Sequence, residues 1–201
     1  MHHNLHRSLA GVASDLWGTP APKSPTKDSA PTAAFPPFEQ LWSRVDDTVD
    51  WTEVLAHPTP TDGLTTPETW NLYRRYADKV LLGDAESYLA VLKATDPLQD
   101  LTPWAEKFDV ACTNAELLKV TFTAVPDLVD SEGWRYLSGM ALRIARDLFA
   151  LLPITQVDVT VLCNGNQKLH VTFERSELQK VRFGFIDPVD FALQCGAVFT
   201  E

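Results

Sequence analysis

Paired cysteines, phosphate-binding glycine loops and long apolar runs are all missing from this chain of 201 residues, which contains three cysteines and nine glycines. Cys112, Cys163 and Cys195 are odd in number and form no C-x-x-C pair, which argues against a disulfide framework and a thiolate zinc site. No apolar run approaches the roughly 20 residues of a membrane span. The first residues also lack the apolar core of a signal peptide. The sequence therefore predicts a cytoplasmic protein that does not enter a membrane.

Positive charge is also scarce, because 17 basic residues stand against 27 acidic ones and leave a net charge of −10. Residues 38–130 hold seventeen acidic and seven basic residues, so this block alone accounts for −10. Such a charge repels a phosphate backbone, which argues against nucleic acid as a partner. An acidic face mostly keeps a protein soluble, and it leaves open the docking of a protein partner on 38–130.

The N-terminal residues 1–37 differ from the rest in composition. Six of the fourteen prolines fall within 19–37, a density typical of an extended linker. Upstream, residues 4–17 carry apolar side chains at helical spacing, which predicts a short amphipathic helix. A helix of that length is marginal alone in water, so it would dock on the body of the protein, dock on a partner, or fray.

Residues 38–201 are predicted to form a single α+β domain. Its first part, 38–108, has helical periodicity, whereas 108–201 contains alternating strand patterns. Each part alone would bury proportionally less of its surface than the two would together. We therefore expect the helical part and the sheet-containing part to share one core.

Start and stop signals predict the positions of the helices. Thr66 followed by Pro67 is a hydroxyl cap with proline at the first helical position, and Asp84 and Asp187 are predicted to cap later helices. The longest helix has an apolar stripe centred on Ile144. Ser176 and Gln179 form a predicted capping box that opens one helical turn. The other predicted helices begin near Phe38, Trp51, Pro67, Ala85, Thr102, Asp130 or Ser131, and Pro188.

Two basic side chains on the longest predicted helix, Arg143 and Arg146, lie off its apolar stripe. We expect them on the surface, paired with nearby acidic residues such as Asp147. No aromatic side chains interleave with them to stack nucleic-acid bases. The sequence therefore predicts that Arg143 contributes little to stability, since exposed ion pairs are weak.

Alternating apolar residues predict two hairpins, over 108–124 and 157–174. Both apolar sets of the second hairpin share a face if Val159 pairs with Val171. That register requires a three-residue loop from Asn164 to Asn166. The predicted fold is a helical layer followed by an antiparallel sheet of two hairpins, with one long helix packed on the sheet.

Several segments carry a combined pattern that resembles a known family. They are 49–58, 80–89, the helix segment 141–153, 157–159 and 183–188. Together they resemble the C-terminal module of uncharacterised bacterial proteins that often carry a short glycine-rich N-terminal domain of unknown function. The resemblance covers 38–201, with the Pro-rich arm in place of the glycine-rich domain. It implies a bacterial, cytoplasmic protein and supplies no catalytic residues.

Most catalytic templates are missing from the sequence. It contains no G-x-S-x-G, G-x-G-x-x-G, phosphate-binding loop or H-E-x-x-H. His57 precedes a proline in a predicted loop, and no nucleophile can be assigned to it from spacing. Cys112 and Cys163 fall on apolar strand positions, which favours small core residues over nucleophiles. No cofactor or metal site is predicted from these residues.

One constellation offers an alternative. The predicted register places Asp158, His170 and Glu174 on the polar face of the second hairpin, after a long helix. That layout is similar to restriction-endonuclease cores, in which clustered carboxylates hold a divalent metal, although Ser176 stands where a basic residue is expected. The sequence thus favours a non-enzymatic protein-interaction or scaffold module that binds through 4–17 or the acidic 38–130 face. A nuclease-like, metal-dependent hydrolase is the alternative.

Overall fold

The computed structural model describes residues 38–43 and 48–200, with side chains from Leu41 onward. The predicted helix at 4–17 and the predicted linker at 19–37 lie outside the described residues. The helices are α1 (Trp51–Ala56), α2 (Pro67–Leu81), α3 (Ala85–Thr95), α4 (Pro126–Leu151), α5 (Arg175–Leu178) and α6 (Pro188–Gln194), with 3₁₀ turns at Phe38–Ser43, Gln99–Trp104 and Phe183–Phe185. The strands are β1 (Ala105–Cys112), β2 (Leu117–Ala124), β3 (Gln156–Cys163), β4 (Asn166–Glu174) and β5 (Val198–Phe199).

The five strands form one sheet in the order β1-β2-β3-β4-β5. The α+β class is confirmed, and both predicted hairpins are present as antiparallel pairs. The predicted antiparallel sheet of two hairpins is mostly antiparallel in the structure, but the two hairpins join through a parallel pair, β2 and β3, with Val120 opposite Val159. Parallel neighbours need a long crossover, and the 26 residues of α4 supply it. Strand β5, which pairs with β4 over two residues, was not predicted from the sequence.

The β3–β4 hairpin confirms the predicted pairing of Val159 with Val171. The predicted three-residue loop is wrong, because Cys163 pairs with Asn166 and leaves a two-residue turn. Asn164 and Gly165 both have positive φ, 51° and 78°, as the favoured hairpin turn with two left-handed residues requires. A β-bulge beyond Val161 then absorbs the extra residue, so the rest of the strand keeps its predicted register.

The predicted caps of α2, α3 and α6 are confirmed, because the side chains of Thr66, Asp84 and Asp187 accept hydrogen bonds from the first backbone N–H groups. The predicted start of the long helix is wrong. It begins at Pro126, and Gly133 interrupts it with φ 56° and ψ −135°. Glycine adopts that conformation without steric cost, so the chain changes direction there and continues as a helix.

The starts of two short helical segments also differ from the prediction. The capping box from Ser176 to Gln179 is absent, because α5 begins at Arg175 without a side-chain cap. The side chain of Arg175 instead binds carbonyl groups at the end of α4, which fixes the position of this turn. Thr102 caps no helix, because its hydroxyl donates backwards to the carbonyl of Gln99.

Helix α4 is the centre of the molecule. The sheet packs on one side of it, and the 3₁₀ turn Phe38–Ser43 and α6 pack elsewhere on it. The backbone N–H of Val49 donates to the carbonyl of Ala150 over 2.8 Å, so the segment before α1 also contacts the helix. The predicted stripe around Ile144 is buried. Arg143, predicted on the surface, is also buried, because structure surrounds α4 on more than its sheet side.

One contiguous apolar core extends from Leu41 to Phe191 and includes side chains from both predicted parts of the chain. The inward-facing residues of β2, β3 and β4 belong to it. The outward-facing residues of the same strands are partly exposed, and all of them except Leu117 and Leu162 are polar. The sheet therefore has one apolar face against α4 and one polar face, as antiparallel hairpin patterns predict.

Candidate functional site

The polar sheet face carries the three residues of the predicted hydrolase constellation. Asp158 and His170 come together, with Oδ1 and Nδ1 3.2 Å apart. The same Nδ1 lies 3.3 Å from the hydroxyl oxygen of Thr160, which is directly opposite His170 in the register. The side chain of His170 is 40% exposed. This pair is therefore a solvated contact across two strands.

Glu174 does not join that pair. Its Oε1 accepts a hydrogen bond of 2.7 Å from Nε2 of Gln156, the residue opposite it on β3. Across residues 38–43 and 48–200, no three His, Cys, Asp or Glu side chains are grouped so that they could hold a metal ion. The structure thus brings together two of the three predicted residues on an open face.

The other candidate residues from the sequence, Cys112, Cys163 and His57, lie in surroundings that do not form a catalytic site. Cys112 and Cys163 are buried, as predicted, and burial raises the pKa of the Cys112 thiol. A raised pKa keeps the thiol protonated and therefore a poor nucleophile. His57 is exposed, with Nε2 3.2 Å from a carboxylate oxygen of Glu53 one helical turn away.

A larger concave feature than this open face lies between α1, the loop 57–66, α2 and the end of α4. It encloses about 600 Å³. We call it the acidic groove. The described residues that line it are Thr48, Val49, Asp50, Glu53, Val54, Thr61, Asp62, Leu64, Thr65, Thr66, Thr69, Trp70, Tyr73, Thr95, Pro97, Asp147 and Leu151.

Two carboxylates of the acidic groove are held by local backbone geometry. Asp50 is the N-cap of α1 and accepts from the hydroxyl of Thr52 and from the N–H groups of Glu53 and Thr52. Asp62 lies in the loop 57–66 and closes a turn there. It accepts from the hydroxyl of Thr65 and from two backbone N–H groups. Hydrogen bonds to the charged form lower a carboxyl pKa, and the pKa values of both Asp50 and Asp62 are lowered. Both groups are therefore ionised at neutral pH.

Aromatic side chains fix the walls of the acidic groove. The indole N–H of Trp70 donates to the carbonyl of His57 over 3.1 Å, which holds the loop against α2. The indole N–H of Trp51 donates to the carbonyl of Leu151 over 2.7 Å, which anchors α1 on α4. The ring of Tyr73 lies edge-on to that of Trp51, with centroids 5.3 Å apart. Leu64 on the rim is 73% exposed, so the groove has rigid walls and an apolar lip.

Asp147 lies at the base of the acidic groove, where α4 meets it. Its Oδ2 accepts a hydrogen bond of 2.7 Å from Nε of Arg143. The Nη2 of Arg143 lies 3.3 Å from a carboxylate oxygen of Asp100. The predicted pairing of Arg143 with Asp147 is confirmed, but it is a buried ion pair, not a surface one.

The acidic groove was not predicted from the sequence. No pattern assigned a role to Glu53 or Asp62. The signal that could have found it is the threonine-rich loop 57–66 inside the most acidic block, 38–130. That signal has no periodicity, because the groove is assembled from a loop and helices distant in sequence.

Comparisons of the chain with protein-family models, with curated proteins and with solved structures found no match. The resemblance to the C-terminal module of bacterial proteins stays a prediction. No described helix combines the length and the apolar character that crossing a bilayer requires.

Proposed function

We propose that this protein is a non-enzymatic protein-binding module, and that its acidic groove receives a lysine- or arginine-rich segment of a partner. The observation that carries the proposal is the lining of the groove. The carboxylates of Asp50, Glu53 and Asp62 share it, and none of the described residues that line it is basic. A fourth carboxylate, that of Asp147, is buried at its base and paired with Arg143. Charge of one sign in a concave site attracts and orients a partner of the opposite sign.

The dimensions and the other side chains support the same partner. A volume of about 600 Å³ lies within the range of roughly 300 to 1,000 Å³ that is typical of ligand sites. Tyr73 is partly exposed and offers an aromatic surface to the stem of a long basic side chain. Threonine hydroxyls around the rim can accept hydrogen bonds from ammonium or guanidinium groups.

Fluorescence anisotropy with a labelled peptide of alternating lysine and alanine tests the proposal. We expect the peptide to bind at low ionic strength and to dissociate as salt is added, because exposed charges are screened. A glutamate-alanine peptide of the same length should not bind.

A matched pair of variants locates the binding. Glu53→Gln removes one charge from the first turn of α1 inside the groove, and we expect an affinity roughly two- to fivefold weaker, the size of an exposed ion pair. Glu86→Gln makes the same change in the first turn of α3, outside the groove, and should leave the affinity unchanged. Equal affinities for the two variants, or binding of the glutamate peptide, would contradict the proposal.

The metal-dependent hydrolase is a second proposal, supported by the contact between Asp158 and His170. Its test is hydrolysis of an activated phosphodiester, bis(p-nitrophenyl) phosphate, with Mg²⁺ or Mn²⁺. Turnover that His170→Ala abolishes while the fold stays intact would favour the hydrolase. Absence of turnover with both metals would leave the binding module as the better account.

A further inference from the structure

A second, smaller cleft of about 210 Å³ lies beside α4 and contains two arginines. We call it the arginine cleft. Phe149, Leu178 and Phe183 supply apolar walls, Thr48 and Gln179 contribute polar side chains, and Arg146 and Arg175 supply the charge. It contrasts with the acidic groove because its described lining contains no acidic side chain.

Both guanidinium groups are fixed in position. Nε of Arg175 donates to the carbonyl of Ile154 over 2.7 Å, and its Nη2 donates to the carbonyl of Phe149 over 2.8 Å. Arg175 thus satisfies backbone groups at the C-terminal end of α4. Arg146 donates to the carbonyl of Trp42, and its guanidinium lies 3.7 Å from the centre of the Phe183 ring.

Within the described part of the chain, neither Arg146 nor Arg175 forms a direct ion pair with a carboxylate. The charge of Asp147, which pairs with Arg143, only partly offsets the lowering of the Arg146 pKa by burial. Arg143, one turn from Arg146 on the same helix, has two such partners. Partly buried charges are usually paired, and this protein has ten more negative than positive charges with which to pair them. Two guanidinium groups without a contacting carboxylate among the described residues therefore lie in one concavity, where they donate to backbone carbonyls.

Desolvation acts on both groups without neutralising them. Burial lowers the pKa of Arg146 to about 10 and lowers the pKa of Arg175. An arginine remains protonated at neutral pH under such a shift. The cleft is therefore positively charged under physiological conditions.

We propose that the arginine cleft binds a small oxyanion, a carboxylate or a phosphate monoester, whose apolar remainder lies between Phe149 and Phe183. A guanidinium matches both oxyanions through paired N–H donors. The volume accommodates a small molecule and is too small for a folded partner. This inference does not depend on the acidic groove, since the two clefts have opposite charge.

Calorimetric titration of the full chain with four probes tests the proposal. The probes are benzoate, phenyl phosphate, inorganic phosphate and, as the neutral analogue, benzamide. We expect benzoate and phenyl phosphate to bind, inorganic phosphate to bind more weakly, and benzamide not to bind. Equal binding of benzoate and benzamide would overturn the proposal, because it would show that the charge is not recognised.

Variants then locate the anion. Arg146→Gln should weaken phenyl phosphate at least about tenfold, the effect of losing a charge-assisted hydrogen bond. Arg74→Gln removes the same charge from an exposed position on α2 and should have no effect. Equal losses in the two variants, or none in either, would contradict the site.

A further variant keeps the test valid if Arg146→Gln fails to fold. Gln179→Glu places a carboxylate on the exposed rim of the cleft, where it would compete with the ligand, and Gln179→Ala serves as its uncharged control. We expect Gln179→Glu to weaken phenyl phosphate at least about tenfold and Gln179→Ala to leave the affinity within about twofold. Unchanged binding in Gln179→Glu would overturn the proposal.

Discussion

The acidic groove and the polar sheet face both carry threonines and carboxylates, yet they distribute charge differently. On the sheet face, Lys107 lies 2.8 Å from Asp109 and His170 lies 3.2 Å from Asp158. In the groove, Asp50, Glu53 and Asp62 line one concavity, Asp147 lies buried at its base beside Arg143, and His57 contacts Glu53 at the side. On the sheet face, spacing along one strand and contact across two strands bring opposite charges together, whereas a loop folded between helices gathers carboxylates in a concavity. Asp109 and Asp158 on the sheet face therefore each have a basic neighbour, whereas the described lining of the groove has acidic side chains and no basic one.

The largest effect is expected at the ion pair beneath the groove. Arg143→Ala leaves the buried carboxylate of Asp147 without its guanidinium partner. Breaking a buried pair by removing one partner costs about 3 to 5 kcal/mol, so the free energy of unfolding in urea should fall by that amount. A loss below about 1 kcal/mol, which the sequence analysis predicts for a surface arginine, would show that Arg143 is not buried.

The second-largest effect is expected at Ile144, on the apolar side of α4. Ile144 is fully buried, and Ile144→Ala should cost about 2 to 5 kcal/mol through lost contacts and a residual cavity. Urea denaturation measures it. Leu193→Ala, at an exposed position on α6, is the control. It should lower the free energy of unfolding by less than about 1 kcal/mol.

A smaller effect is expected at the rim of the groove. Asp50→Ala removes the N-cap of α1 and should cost about 0.5 to 2 kcal/mol at pH 7. The pKa of Asp50 is lowered in the folded state. The stabilisation that its carboxylate provides is therefore fully present above the pKa of the unfolded chain, about 4, and is lost as the pH falls through the pKa of the folded protein. The stability difference between wild type and variant should therefore narrow from pH 5 to pH 2. A difference that grows on acidification would contradict this cap.

The smallest effect is expected on the polar sheet face. His170 is partly exposed, and its contact with Asp158 is solvated, so His170→Ala should change the free energy of unfolding by less than about 1 kcal/mol. Thermal or urea melts at pH 7 check this. A loss comparable to that of Arg143→Ala would mean that the sheet face is covered and that the contrast with the groove is wrong.

Local signals in the sequence predicted much of the fold. Alternation with a period of two placed Val159 opposite Val171, because one face of the sheet is buried and a shift of one residue would reverse it. Thr66 and Asp84 predicted their helices because a cap acts within one turn. The two-residue turn at Asn164 escaped prediction because a bulge compensated for it within the strand.

Features that depend on distant segments could not be predicted. Arg143 is buried because other segments pack on a helix already covered by the sheet, and the pattern of α4 alone contains no sign of them. The parallel pairing of Val120 with Val159 depends on where a 26-residue helix returns the chain. The groove depends on the loop 57–66 and α4, which are about 80 residues apart in the sequence. Of the predicted site, only the contact between Asp158 and His170 follows from the register.

The most direct test of the binding module is a map of amide chemical shifts in the ¹⁵N-labelled full chain during titration with the lysine-alanine peptide. The account predicts that shifts concentrate on α1, on residues 61–69 and on the adjoining turn of α4, and that Glu53→Gln reduces them while Glu86→Gln does not. Shifts centred on β3 and β4 around His170, with the groove unaffected, would contradict it.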